Sequence, residues 1–165
     1  MNNIYLIGMM GTGKSTVGKI LSEKMNKNFV DLDLEIEKST GKTITEIFEN
    51  DGEEKFRDEE SKQLKHFNES IIACGGGIIL KNENCEFISN NGTAILLTAS
   101  ISELSKRLSK SKKRPLLAKD TTEETLTKIW LERQLYYLST ADLTIETDGK
   151  NPEQITNNIL TNLTL

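Results

Sequence analysis

The chain has 165 residues, of which 36% are hydrophobic, 28% charged and 5% aromatic, and its 25 acidic and 21 basic side chains give a net charge of -4. This length predicts a single domain that builds its core without disulfides or metals. The acidic balance argues against a dedicated nucleic-acid binder, and two cysteines, Cys74 and Cys85, with one histidine, His66, form neither a disulfide framework nor a zinc-ligand pattern.

Residues 1–10 are apolar but short, with no basic flank and no small-residue cleavage site, so they predict a buried strand and not a signal peptide. Its apolar run, residues 4–7, is followed by four more of strand length, residues 29–32, 71–74, 94–97 and 143–145. Runs dominated by Ile, Val and Leu suit strands covered on both faces. None approaches the roughly 20 residues needed to span a bilayer, and the expected compartment is the cytoplasm. Between the runs, capping boxes pair Thr43 with Glu46, Asp51 with Glu54, Ser100 with Glu103 and Thr121 with Glu124. Asn151 before Pro152 predicts an N-cap followed by proline at the first helical position. Short strands alternating with helices predict an α/β sandwich around a mostly parallel sheet. Two stretches break the rhythm. Residues 33–68 read as largely helical, too long for a simple crossover, and residues 109–121, polar and Lys-rich with Pro115, read as a mobile loop.

Residues 8–15, Gly-Met-Met-Gly-Thr-Gly-Lys-Ser, match G-x-x-x-x-G-K-[ST] between a predicted strand and a predicted helix. Glycines let backbone N–H groups turn inward around phosphate oxygens, and the following helix adds its positive dipole end. Lys14 can reach the β- and γ-phosphates, and the Ser15 hydroxyl can ligate Mg²⁺. The second apolar run ends in Asp31 and Asp33, which would point the same way from a strand toward the ligand crevice. One carboxylate can hold waters around Mg²⁺ and the other can serve an acceptor hydroxyl, although Asp33 could instead cap the next helix.

Gly75, Gly76 and Gly77 follow the third run, where a ligand could approach the backbone or the chain could simply turn. On the helix predicted over residues 122–139, Arg133 shares a face with Leu126, Ile129, Trp130 and Tyr137. A guanidinium in an apolar stripe needs an anionic partner, either a ligand or an internal carboxylate. Arg57 lies on a part-apolar face with Glu60 three residues on to orient it, unless the two form a surface ion pair. Residues 110–115 form a basic cluster, read as solvated charge, as a nucleic-acid patch that the net acidity disfavours, or, better, as a lid that brings Arg114 onto a triphosphate.

In this order the motifs resemble the shikimate kinases: residues 8–15, Asp31 and Asp33, Phe56-Arg57 with Glu60, the three glycines, Arg114-Pro115-Leu116-Leu117, and Glu132-Arg133 with Tyr137. The resemblance covers nearly the whole chain. It implies a P-loop, nucleoside monophosphate kinase-like three-layer α/β sandwich with a five-stranded parallel sheet, in one kinase domain over residues 1–165. Residues 33–60 would be the substrate-binding helices and residues 109–121 the lid. The implied reaction is Mg²⁺-dependent transfer of the ATP γ-phosphoryl group to the 3-hydroxyl of shikimate. Gly11, Thr12, Gly13, Lys14, Ser15 and Thr16 would hold the nucleotide, with Arg107 and Pro152 on the adenine. Ser15 would ligate the metal and Asp31 assist through water. Asp33 would bind the acceptor hydroxyls and act as base. Arg57 and Arg133 would clamp the acceptor carboxylate beside Gly75, Gly76 and Gly77, and Lys14 and Arg114 would stabilise the migrating phosphoryl group. No nucleic acid, membrane or partner protein is implied, and a monomer is expected. A kinase for another acceptor such as gluconate, a non-catalytic ATP-binding module and a nucleic-acid-associated ATPase are the rival readings.

Basic residues divide into 17 Lys and four Arg. The resemblance assigns a ligand to every arginine, which suits tasks needing a planar fork or a flat stacking face. Cys74, on a predicted buried strand, reads as an inert thiol.

Overall fold

A computed structural model describes residues 2–110 and 122–163. Strands β1 (Asn3–Ile7), β2 (Asn28–Asp31), β3 (Ser70–Ala73), β4 (Gly92–Thr98) and β5 (Leu143–Glu146) form one sheet. Its order is β2-β3-β1-β4-β5, and every neighbouring pair is parallel. The helices are α1 (Lys14–Met25), α2 (Leu32–Thr40), α3 (Ile44–Asn50), α4 (Gly52–Leu64), α5 (Asn82–Asn91), α6 (Ile101–Ser109), α7 (Glu123–Thr140) and α8 (Pro152–Leu163).

Every residue of the central strand β1 is buried, as a continuous apolar run requires when helices cover both faces. Its side chains alternate between two cores. Tyr5 and Ile7 pack with Ile88, Leu104, Leu126 and Tyr137 on the α5–α7 side. Ile4 and Leu6 pack with Val17, Leu21, Ile155 and Ile159 on the α1 and α8 side. These layers make the expected three-layer sandwich. A separate cluster, Ile36, Ile47 and Phe56, joins α2, α3 and α4, which fill the stretch expected to be helical.

The second strand ends one residue earlier than its apolar run, and Leu32 opens α2. Leu32 is fully buried in the larger core from that position. Burial alone does not distinguish a strand end from a first helical turn, so Asp31 and Asp33 are not an i, i+2 pair on one strand. Among the expected caps, Thr43 forms the full capping box with Glu46. The Ser100 hydroxyl accepts the Glu103 N–H at 3.3 Å. Asn151 Oδ1 accepts the Gln154 N–H, and Gln154 Oε1 accepts the Asn151 N–H, both at 2.9 Å. Asp51 makes no side-chain cap; its carboxylate meets Lys42 at 2.6 Å instead, because Asp51 also closes α3. Thr121 lies outside the described residues, and the cap of α7 is Thr122, which accepts from the Thr125 N–H at 3.2 Å. Of the expected lid, residues 111–121 with Arg114 and Pro115 lie outside the described residues.

Candidate active site

Strand register builds the site. Leu6 of β1 and Asp31 of β2 both pair with Ala73 of β3, so three strand ends are level. The chain leaves this one edge as the phosphate loop, as α2 and as the three glycines, at the carboxyl end of a parallel sheet where such folds open a crevice.

In the phosphate loop, Gly8 has φ 135, and a side chain there would strike the Leu97 carbonyl. Only glycine tolerates both demands. Thr12 is buried and its hydroxyl donates to the Met9 carbonyl at 2.8 Å. Gly11 and Gly13 also take positive φ, and Thr16 is exposed in the first turn of α1. Lys14 Nζ donates to the carbonyls of Gly8 at 2.7 Å and Met9 at 2.8 Å, which folds the ammonium over the loop. The Ser15 hydroxyl donates to Asp31 Oδ2 at 2.6 Å. A hydroxyl and a carboxylate this close, beside a phosphate cradle, are the sparse hard-oxygen set that suits Mg²⁺, which keeps much of its water.

Arg107 on α6 is tied to the same loop. It donates to Glu103 at 2.7 Å, to the Gly11 carbonyl at 3.3 Å, to Thr147 Oγ1 at 3.1 Å and to the Thr147 carbonyl at 3.2 Å. Pro152 opens α8 and is exposed.

A second charged cluster beside the phosphate loop is assembled from separated segments. Arg57 on α4 meets Glu60 Oε2 at 2.5 Å and Glu53 at 3.1 Å, and its guanidinium lies over the Phe56 ring at 5.1 Å. Glu60 is 0% exposed, so this is not the surface ion pair that sequence left open. Burial pushes the Glu60 carboxyl up to about 6, against the opposing pull of Arg57 and Arg133 and with added repulsion from Asp33. Among the described residues, Glu60 Oε1 has no hydrogen-bond partner.

The three glycines explain why these side chains fit. A Cβ on Gly75 would collide with Glu60 Oε1 and lie 3.3 Å from Asp33 Oδ1, and one on Gly77 would collide with the Arg57 guanidinium. Two of the glycines thus make room for the protein's own charged groups, a use that sequence reasoning did not anticipate. A Cβ on Gly76 would lie 3.6 Å from the Gly8 carbonyl oxygen and from the Met10 nitrogen, so this peptide borders the phosphate loop. Asp33 stands half-buried in the first turn of α2 beside Gly75.

Arg133 Nη1 donates to the Gly76 carbonyl at 3.1 Å. It forms no close ion pair among the described residues, although the buried Glu60 carboxylate feels its charge. One turn on, the Tyr137 hydroxyl donates to the same carbonyl. Sequence placed Tyr137 on the Arg133 face of this helix but gave its hydroxyl no task. Glu53, four residues before Arg57, was missed, although that spacing on one helix face was a usable signal. Cys74 is buried and burial pushes its thiol up, as an inert cysteine requires.

A family model described as shikimate kinase matches residues 10–164. The chain belongs to the shikimate kinase family. It is 43% identical to a shikimate kinase of Persephonella marina over 97% of this chain and 98% of the relative. It is 40% identical to one of Sulfurihydrogenibium over 99% and 98%. Among solved structures it is similar to shikimate kinase from Acinetobacter baumannii in complex with shikimate, with TM-score 0.93, 36% identity, 99% of this chain and 93% of that one. A gluconokinase from Sinorhizobium meliloti matches at TM-score 0.56 and 15% identity, which shares the fold alone. Family membership makes the chain an enzyme, an ATP-dependent phosphotransferase of the P-loop kinase fold with shikimate as the acceptor that names the family. No helix among the described residues is long and apolar enough to cross a membrane.

Proposed function

We propose that this kinase transfers the ATP γ-phosphoryl group to the 3-hydroxyl of shikimate, with Mg²⁺, in a site built from the residues above. One observation carries the reading. Two arginines from different helices, Arg57 and Arg133, flank one glycine segment that borders the phosphate loop. Two guanidinium forks beside a phosphate cradle suit a small acid whose carboxylate is gripped while a hydroxyl faces the phosphate.

In this reading residues 11–16 bind the triphosphate, and Arg107 with Pro152 bounds the adenine. Ser15 would hold the Mg²⁺ directly and Asp31 through water. The ion, when bound, neutralises charge on the β- and γ-phosphates. Lys14 leaves the loop carbonyls for phosphate oxygens, which are stronger acceptors for an ammonium. Asp33 orients the acceptor hydroxyl and takes its proton; a loose transition state asks little of it as a base. Arg114, outside the described residues, is assigned from the sequence to the migrating phosphoryl group, in a lid over residues 109–121. Catalysis is then mostly positioning and charge neutralisation. We further read the chain as one kinase domain, monomeric and cytoplasmic.

The test is ADP release with a panel of acceptors. Stimulation is expected from shikimate and not from gluconate or from shikimate methyl ester at the same concentration. Stimulation by another polyol acid without stimulation by shikimate would overturn the reading.

A further inference from the structure

Tyr137 is fully buried, yet the reaction as derived gives it no task. Its ring is fixed by Trp130, which stacks on it at 6.2 Å with an interplanar angle of 19°. Burial pushes its phenol up to about 12, so the hydroxyl is a permanent donor in the working pH range. It donates to the Gly76 carbonyl, the oxygen that also receives Arg133 Nη1. Among the described residues these two are the only donors to that oxygen.

Each part constrains the next. A packed ring fixes the hydroxyl, the hydroxyl fixes the carbonyl, and the carbonyl fixes one edge of the guanidinium. Arg133 uses one N–H there and also lies within hydrogen-bonding reach of the Tyr137 hydroxyl itself; guanidinium carries five donors in a rigid plane, so further ones can meet a ligand. A carbonyl held from two directions is a firmer anchor than one held by a flexible arginine alone, and coupled hydrogen bonds strengthen one another in a site sheltered from water. We propose that Tyr137 is a positioning residue for the acceptor: through the Gly76 carbonyl it sets the plane in which Arg133 meets the acceptor carboxylate. The inference rests on the reading of Arg133 as one arm of the carboxylate clamp.

The experiment is a double-mutant cycle of Tyr137→Phe and Arg133→Met, with shikimate and ATP varied separately. Phe keeps the ring and its stacking. Tyr137→Phe is expected to raise the shikimate KM roughly tenfold, with kcat, the ATP KM and Tm little changed. In the Arg133→Met background the same substitution is expected to change the shikimate KM less than twofold, because the group it positions is gone. A merely structural hydroxyl would lower Tm and act equally in both backgrounds, and that result would overturn the inference. An unchanged KM in Tyr137→Phe, with a raised KM in Arg133→Met, would overturn the inference and leave the clamp standing. An unchanged KM in Arg133→Met would take down the clamp and the inference together. If Tyr137→Phe fails to fold, Trp130→Leu, which removes the ring stacked on Tyr137, takes its place in the same cycle: a rise in the shikimate KM that vanishes in the Arg133→Met background supports the inference, and no rise, or an equal rise in both backgrounds, overturns it.

Discussion

The two halves of the site are built on opposite plans. The phosphate half is mostly local, with residues 8–15 in one loop whose main-chain groups and side chains close on themselves, and Asp31 of β2 and Arg107 of α6 reach it from elsewhere. The half we propose for the acceptor draws Asp33 from α2, Arg57 and Glu60 from α4, three glycines from the end of β3 and Arg133 from α7. It holds charge against charge in a buried setting, with glycines cut to fit them. Backbone donors recognise any phosphate, whereas a carboxylate among hydroxyls must be recognised by side chains whose positions come from distant segments. The general half can therefore be a short motif, and the specific half has to be a fold.

Four substitutions would break or sharpen that contrast. The largest effect is expected at the phosphate half: Lys14→Met should lower kcat by about a thousandfold or more while the shikimate dissociation constant changes little, measured by single-turnover kinetics and binding titration. At the acceptor half, Arg133→Lys should raise the shikimate KM by an amount on the order of 1–3 kcal/mol and spare ATP binding, since one ammonium cannot reproduce a fork. An effect shared equally by both substrates would erase the division between the halves.

Glu60 tests the buried charge of the acceptor half by pH. Its carboxyl is raised from 4.5 to about 6, so between those values the folded state holds a proton that the unfolded state has lost. Its contribution to stability is thus greatest below about pH 4.5, falls as pH rises through that window and is flat above it. Glu60→Gln removes the titration. Between pH 4.5 and 7 the variant should gain about 2 kcal/mol relative to wild type, read from denaturant melts at each pH. Arg57, Arg133 and Asp33 face the same carboxyl, so a pH-independent difference would mean that they, and not burial, set its ionisation. The smallest effect is expected from Thr43→Ala, which breaks the capping box of α3 at about 1 kcal/mol and a few degrees of Tm, with nucleotide affinity unchanged.

The same contrast governs what could be read from sequence. Strand-length apolar runs gave way to strands within one or two residues, and the phosphate loop sits where its motif requires. Arg57 and Glu60 were legible as a pair because helical spacing is short-range, and 2.5 Å separates them. Asp31 and Asp33 were not legible as geometry, because the helix begins between them at Leu32. Asp51 fits a capping pattern but serves as the junction of two helices, where Lys42 claims its carboxylate. The glycines were seen as an opening, while their occupants, Glu60 and Arg57, come from a helix more than ten residues upstream. Spacing rules reach one helix face; they do not reach across a sheet edge.

The small cluster of Ile36, Ile47 and Phe56 has a consequence for how the molecule breathes. A few side chains hold the middle of α2, α3 and α4 together, while Leu32 and Leu64 tie the ends of α2 and α4 into the larger core, so opening of this subdomain would be confined to its outer part. It carries Asp33, Arg57 and Glu60, whereas the phosphate loop is anchored in the central strand. A fluctuation that frays it would abolish acceptor recognition and leave the nucleotide cradle folded. Any such opening would be linked to acceptor binding, because an acid bound between Asp33 and Arg57 stabilises only the closed form and would shield that miniature core from exchange and proteolysis.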